Sequence, residues 1–168
     1  CLDRGLWIGD ANSKLENSGS ISLGNNAASN FGQGLYMYGG SQVRNYSTGI
    51  LEINRFVSQG ILVSGASTVF TNDGTLNVGN NAIVGWEGIY VNGTGGFVNN
   101  TTGQISIDNM AYNGLVVLDA STFTNNGNFK IGNLGSIGWT GIYMANSATV
   151  LNSLTAAIEI NNISAING

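Results

Sequence analysis

A glycine followed by an aliphatic, a variable and a second aliphatic residue returns six times in this chain: GLWI at Gly5, GLYM at Gly34, GILV at Gly60, GIYV at Gly88, GLVV at Gly114 and GIYM at Gly141. Successive starts, with Gly168 opening a seventh, lie 29, 26, 28, 26, 27 and 27 residues apart. A period of that size predicts a solenoid, in which each unit is one turn of a rod and buries its apolar face only by stacking on its neighbours.

Each unit contains three short extended pieces. In the first, the flanking positions are always aliphatic: Leu6/Ile8, Leu35/Met37, Ile61/Val63, Ile89/Val91, Leu115/Val117 and Ile142/Met144. Alternation of period two places these on one side of a strand and directs the residues between them outward: Trp7, Tyr36, Leu62, Tyr90, Val116 and Tyr143. The second piece keeps an apolar residue and, two positions later, an asparagine: Asn17, Asn45, Asn72, Asn99, Asn125 and Asn152. The third again alternates, with Ile21/Leu23, Leu51/Ile53, Leu76/Val78, Ile105/Ile107, Phe129/Ile131 and Ile158/Ile160 inward, and mostly polar residues such as Glu52, Lys130 and Glu159 between them.

Three strands and their turns use up about 27 residues, so the expected fold is all-β: a right-handed parallel β-helix of six coils in a single domain, residues 1–168. Coils stacked about 4.8 Å apart would form a rod roughly 29 Å long. Units pair into double repeats of 55, 54 and 54 residues, because odd units end in a longer turn that holds an aromatic: Asn30-Phe31-Gly32, Gly85-Trp86-Glu87 and Gly138-Trp139-Thr140. The six asparagines are expected to form a structural ladder, since stacked amides hydrogen-bond from coil to coil. N-x-S/T sequons at Asn45, Asn92, Asn99, Asn100 and Asn162 arise by chance in so Asn-, Ser- and Thr-rich a chain.

The G-[LI]-x-[IVM] starts and N-x-G-x-[IL]-x-[IV] segments such as Asn72-Asp73-Gly74-Thr75-Leu76-Asn77-Val78 resemble the parallel β-helix repeats of bacterial secreted adhesins, autotransporter passengers and the large repeat proteins that some Bacteroidota export to their surface. The resemblance implies an extracellular, surface-associated structural or adhesive protein.

Composition excludes several other functions. Only five residues are basic (Arg4, Lys14, Arg44, Arg55 and Lys130), and the net charge is -4, so no patch could neutralise a run of phosphates and nucleic acid is not an expected partner. No apolar stretch approaches the roughly 18 residues of a membrane span. No leader pattern opens the chain, which is expected to be a mature soluble segment. The absence of histidine and the lone Cys1 leave no metal cluster, and no cofactor is expected. Cys1 reads as a fragment boundary, with the acylated residue of a lipoprotein as the alternative.

Polysaccharide-active enzymes on this fold need converging carboxylates, but the repeat spreads the nine acidic residues over different faces. Glu52 and Glu159 share a column yet sit four coils apart, so no catalytic site is expected. Ice binding would need a flat threonine array, which is missing. The expected functional feature is the outward stripe Trp7, Tyr36, Leu62, Tyr90, Val116 and Tyr143, with Trp86 and Trp139 nearby. It could bind another copy of the chain or stack on surface glycans. No atypical cap opens or closes the repeat, so the chain is expected to be a slice of a longer array or a filament subunit stacking end to end.

Overall fold

The structure, a computed structural model, describes residues 4–26, 31–81 and 85–164. Cys1, Asp3, Asn30 and Gly168 lie outside the described residues. Among the described residues all regular structure is β-strand, arranged as three six-stranded parallel sheets in which each strand pairs with its counterpart one coil away. The first sheet consists of Arg4–Gly9, Gln33–Tyr38, Gln59–Ser64, Glu87–Asn92, Asn113–Val117 and Thr140–Met144. The second consists of Lys14–Asn17, Gln42–Asn45, Val69–Asn72, Gly96–Asn99, Thr122–Asn125 and Thr149–Asn152. The third consists of Ser20–Leu23, Ile50–Ile53, Thr75–Val78, Gln104–Ile107, Asn128–Ile131 and Ala157–Ile160. The chain is a β-solenoid of six coils.

Register follows the apolar alternation: Ile61 pairs with Ile89 and Ile89 with Leu115, while Leu76 pairs with Ile105 and Ile105 with Phe129. The inward residues form one continuous core. Along its axis Phe70, Phe97 and Phe123 stack with ring centroids 4.5 and 5.2 Å apart, and Phe129 lies 5.0 Å from Phe123. In the sixth coil Met144 and Ile160 hold inward register positions yet remain exposed, because no described coil covers them.

Three corners join the sheets, each with its own chemistry. Between the first and second sheets the chain turns on pairs of residues at positive φ, such as Gly39-Gly40 (68° and 84°), Gly93-Thr94 (61° and 67°), Asp119-Ala120 (56° and 57°) and Asn146-Ser147 (56° and 62°). Each of these turns closes with an amide-to-carbonyl bond across four residues, as from Ser121 N–H to Leu118 C=O at 3.1 Å. Two successive left-handed residues define the type I′ turn, which explains why Gly, Asp and Asn recur at the first position.

The corner between the second and third sheets is held by the asparagines. Each Nδ2 donates to the Oδ1 one coil on: Asn17 to Asn45 (2.8 Å), Asn45 to Asn72 (2.9 Å), and Asn72 to Asn99, Asn99 to Asn125 and Asn125 to Asn152 (2.8 Å each). The same nitrogens also donate to backbone carbonyls, as Asn99 does to Gly103 and Asn128. Asn45, Asn72, Asn99 and Asn125 are fully buried. The amides of two sequons, Asn45 and Asn99, are therefore consumed by the ladder.

The third corner alternates. Long connections, residues 24–32, 79–86 and 132–139, leave the odd coils, and short ones, 54–58 and 108–112, leave the even coils. The long ones begin with a left-handed glycine (Gly24, Gly79 and Gly132, φ 70–76°), whereas in even coils the left-handed residue comes one position later, at Arg55, Asn109 and Asn162. The 54-residue double repeat is thus an alternation of two corner types. Buried side chains of the short corners tie the long ones down. Asn54 donates to Asn25 Oδ1 at 2.9 Å and accepts from Asn81 N–H, and Asp108 accepts the Leu134 N–H at 2.7 Å.

Candidate functional site

Parallel pairing brings all six outward residues of the first sheet into one column: Trp7, Tyr36, Leu62, Tyr90, Val116 and Tyr143. They do not form the continuous exposed stripe expected of them. Val116 is only 2% exposed, and it lies outside the apolar core. Its small side chain sits in register between Tyr90 and Tyr143, whose larger rings shield it. Tyr36, Leu62 and Tyr90 are half-buried, while Trp7 (57%) and Tyr143 (48%) are open. The column therefore divides into two patches at opposite ends of the sheet.

At the Trp7 end, Tyr38 stacks on Trp7 (centroids 5.9 Å, 14° between planes) and on Tyr36 (5.5 Å, 12°). The Arg4 guanidinium lies 5.1 Å over Trp7 and 4.4 Å over Tyr36. Gly9 makes this possible, because a Cβ there would run into the Tyr38 ring. Alternation carries the outward face of this strand on to Tyr38, two residues past Tyr36 and just beyond the four-residue start of the repeat. The aromatic faces here are largely spent on one another and on Arg4.

The other end carries a second aromatic column that the repeat suggested only in part. Amide-to-carbonyl bonds link Gly32, Ser58, Trp86, Tyr112 and Trp139 in one row just before the first sheet. Tyr112 lies 5.8 Å from Trp86 at 59° and 6.0 Å from Trp139 at 66°. Trp86 and Trp139 are 57% and 67% exposed. Phe31, grouped with these tryptophans by its place in the odd-unit turn, is not one of them. It bridges to Phe56 and packs against the core, and the outward position of its coil is Gly32.

Between the two aromatic columns runs a polar row paired in register: Arg4, Gln33, Gln59, Glu87, Asn113 and Thr140. Gln59 Nε2 donates to Glu87 Oε2 at 2.9 Å. Half-buried, Glu87 has its pKa raised by burial, with the Gln59 hydrogen bond pulling the other way. Tyr90 is raised too, first by burial and then by the charges of Glu87 and Asp119 and by Tyr143. At the end of this row a cleft of about 360 Å³ is lined by Asn113, Trp139, Thr140 and Tyr143. Trp139 and Tyr143 belong to the two aromatic columns and form its walls, with Asn113 and Thr140 between them.

The acidic side chains elsewhere are engaged locally. Asp73 pairs with Arg44 (3.1 Å) and Glu159 with Lys130 (3.4 Å), Glu52 accepts from Ser22 (3.0 Å), and Glu16 accepts from the Tyr46 hydroxyl (3.0 Å). Glu52 and Glu159 occupy the same column of the third sheet, with Asn77, Ser106 and Lys130 between them. Among the described residues no group of three or more carboxylate, thiol or imidazole side chains could hold a metal ion, and no helix is long and apolar enough to cross a membrane. No protein-family model, curated protein or solved structure matches the chain.

Proposed function

We propose that this chain is an extracellular structural or adhesive protein: a stiff β-solenoid that displays aromatic side chains for contact with neighbouring molecules at a cell surface. The observation that carries the proposal is the exposure of Trp86, Tyr112 and Trp139 in one row just before the first sheet, and of Tyr143 on that sheet. An open aromatic surface costs solubility unless something binds it, and a solenoid holds it at fixed spacing. The low charge, the asparagine- and glycine-rich corners and the resemblance of the repeats to secreted adhesins support the same reading.

Antibody labelling of intact producing cells, combined with retention of the purified chain on those cells, tests it. Labelling is expected without lysis, and retention is expected to fall in the Trp86→Ser/Trp139→Ser double variant. Labelling only after lysis overturns the location. Equal retention of the double variant overturns the aromatic contact.

A further inference from the structure

The aromatic surface at the Trp139 end has a feature that a plain protein contact face lacks: its apolar walls enclose a polar floor. Trp86, Tyr112 and Trp139 stand on one side and Tyr90 and Tyr143 on the other, with Glu87, Asn113 and Thr140 between. Sugar rings have this split character, with apolar C–H faces that stack on aromatic rings and hydroxyl edges that bond amides, hydroxyls and carboxylates.

Three further observations narrow the class. None of the four residues lining the cleft is charged, and the one ionisable group on the adjacent floor is the Glu87 carboxyl, so an acidic sugar would meet no cation there and one anion. The walls run along the solenoid axis, one register position per coil, which suits an extended chain rather than a curled one. Trp86 and Trp139 are separated by two coils, a rise of about 10 Å, close to the disaccharide repeat of an extended β-linked glycan.

We infer that the trough between Trp86/Tyr112/Trp139 and Tyr90/Tyr143 binds a neutral, extended β-linked polysaccharide lying along the coil axis. The tryptophans stack on every second sugar, and Asn113, Thr140 and Glu87 bond the hydroxyls between them. This inference rests on the adhesive reading above and names the ligand of that surface.

The test is titration of the purified chain with cellohexaose, mannohexaose, maltohexaose and hexagalacturonate, read by tryptophan fluorescence and calorimetry. The expected result is saturable binding of cellohexaose or mannohexaose, with weaker or no binding of the α-linked and the acidic probes. Trp139→Ala is expected to weaken binding about ten-fold, the weight of one aromatic contact, and Trp7→Ala to leave it unchanged. Trp139 is largely exposed, so the variant keeps its fold, and circular dichroism checks that. No binding of either β-linked probe, or binding indifferent to Trp139, overturns the inference. If the β-linked probes fail while retention on cells still depends on Trp86 and Trp139, the ligand class falls and the adhesive reading stands. If both fail, both fall.

Discussion

Asn72 Nδ2 donates to Asn99 Oδ1 at 2.8 Å in a corner where neither side chain reaches solvent. Asn99 in turn donates to Asn125 Oδ1 and to the carbonyls of Gly103 and Asn128, so one side chain satisfies polar groups on three coils. Asn99→Ala should leave several of them unpaired and cost about 2–3 kcal/mol. Thermal unfolding should show Tm lowered by about 5–10 °C. Asn128→Ala, at an exposed position with one side-chain bond to Gln104, should stay within about 0.5 kcal/mol of wild type. Equal loss in the two variants would refute the ladder as a stabilising device.

The glycine that opens each repeat is demanded by space. A Cβ at Gly88 would fall against Ile107 Cγ2 and within 2.7 Å of the Gly114 carbonyl, both fixed parts of neighbouring strands. Gly88→Ala should therefore destabilise by about 1–3 kcal/mol through overpacking. At Gly96 the added methyl would meet only Val69 Cγ2, at 3.7 Å, so Gly96→Ala should be close to neutral. Chemical denaturation of the two variants side by side checks the contrast.

Two turn residues sit where a side chain is a burden. Thr94 has φ 67° and Ala120 φ 57°, each second in its left-handed pair. Glycine relieves that strain, partly offset by the freedom it gives the unfolded chain, so Thr94→Gly and Ala120→Gly should each stabilise by about 0.5–1 kcal/mol. A lower denaturation midpoint in either variant would contradict the turn assignment.

Stability should depend on pH through Glu87. Burial raises its pKa above the ordinary 4.5, so its ionised form is disfavoured in the folded state. The group therefore destabilises above its raised pKa, the penalty fades as pH falls through that value, and it is gone below 4.5. Glu87→Gln removes the charge and keeps an oxygen that can accept from Gln59. Its Tm should exceed that of wild type at neutral pH and converge with it in acid. A difference constant across the pH range would refute the assignment.

The fold was legible because each inward residue repeats a choice made one coil earlier. Ile89 and Val91 alternate in the same frame as Ile61/Val63 and Leu115/Val117, and stacked strands turn that shared frame into register. Surface features were less legible, because they depend on neighbours nearly thirty residues away. Nothing local to Val116 announces that Tyr90 and Tyr143 will shield it. Nothing in the segment around Tyr38 announces that its ring will settle over Gly9. Phe31 shares the odd-unit turn with the tryptophans but not their column, because the connections that hold them differ in length and a one-residue offset decides whether a side chain faces core or water. The polar floor of the trough leaves no pattern in the sequence, since Glu87, Asn113 and Thr140 share no residue type, only a register.

The alternating third corner sets the increment by which such a rod can grow or shrink. Asn54 reaches a long connection on either side, at Asn25 and at Asn81, so a short corner serves its role only when flanked by long ones. Loss of a single coil would place two short corners, or two long ones, next to each other and strand these clamps. Loss or duplication of two coils together would restore the pattern at the new junction. A rod of this kind should therefore tolerate gain or loss of length in steps of about 54 residues, and the tryptophan spacing along the trough follows the same step.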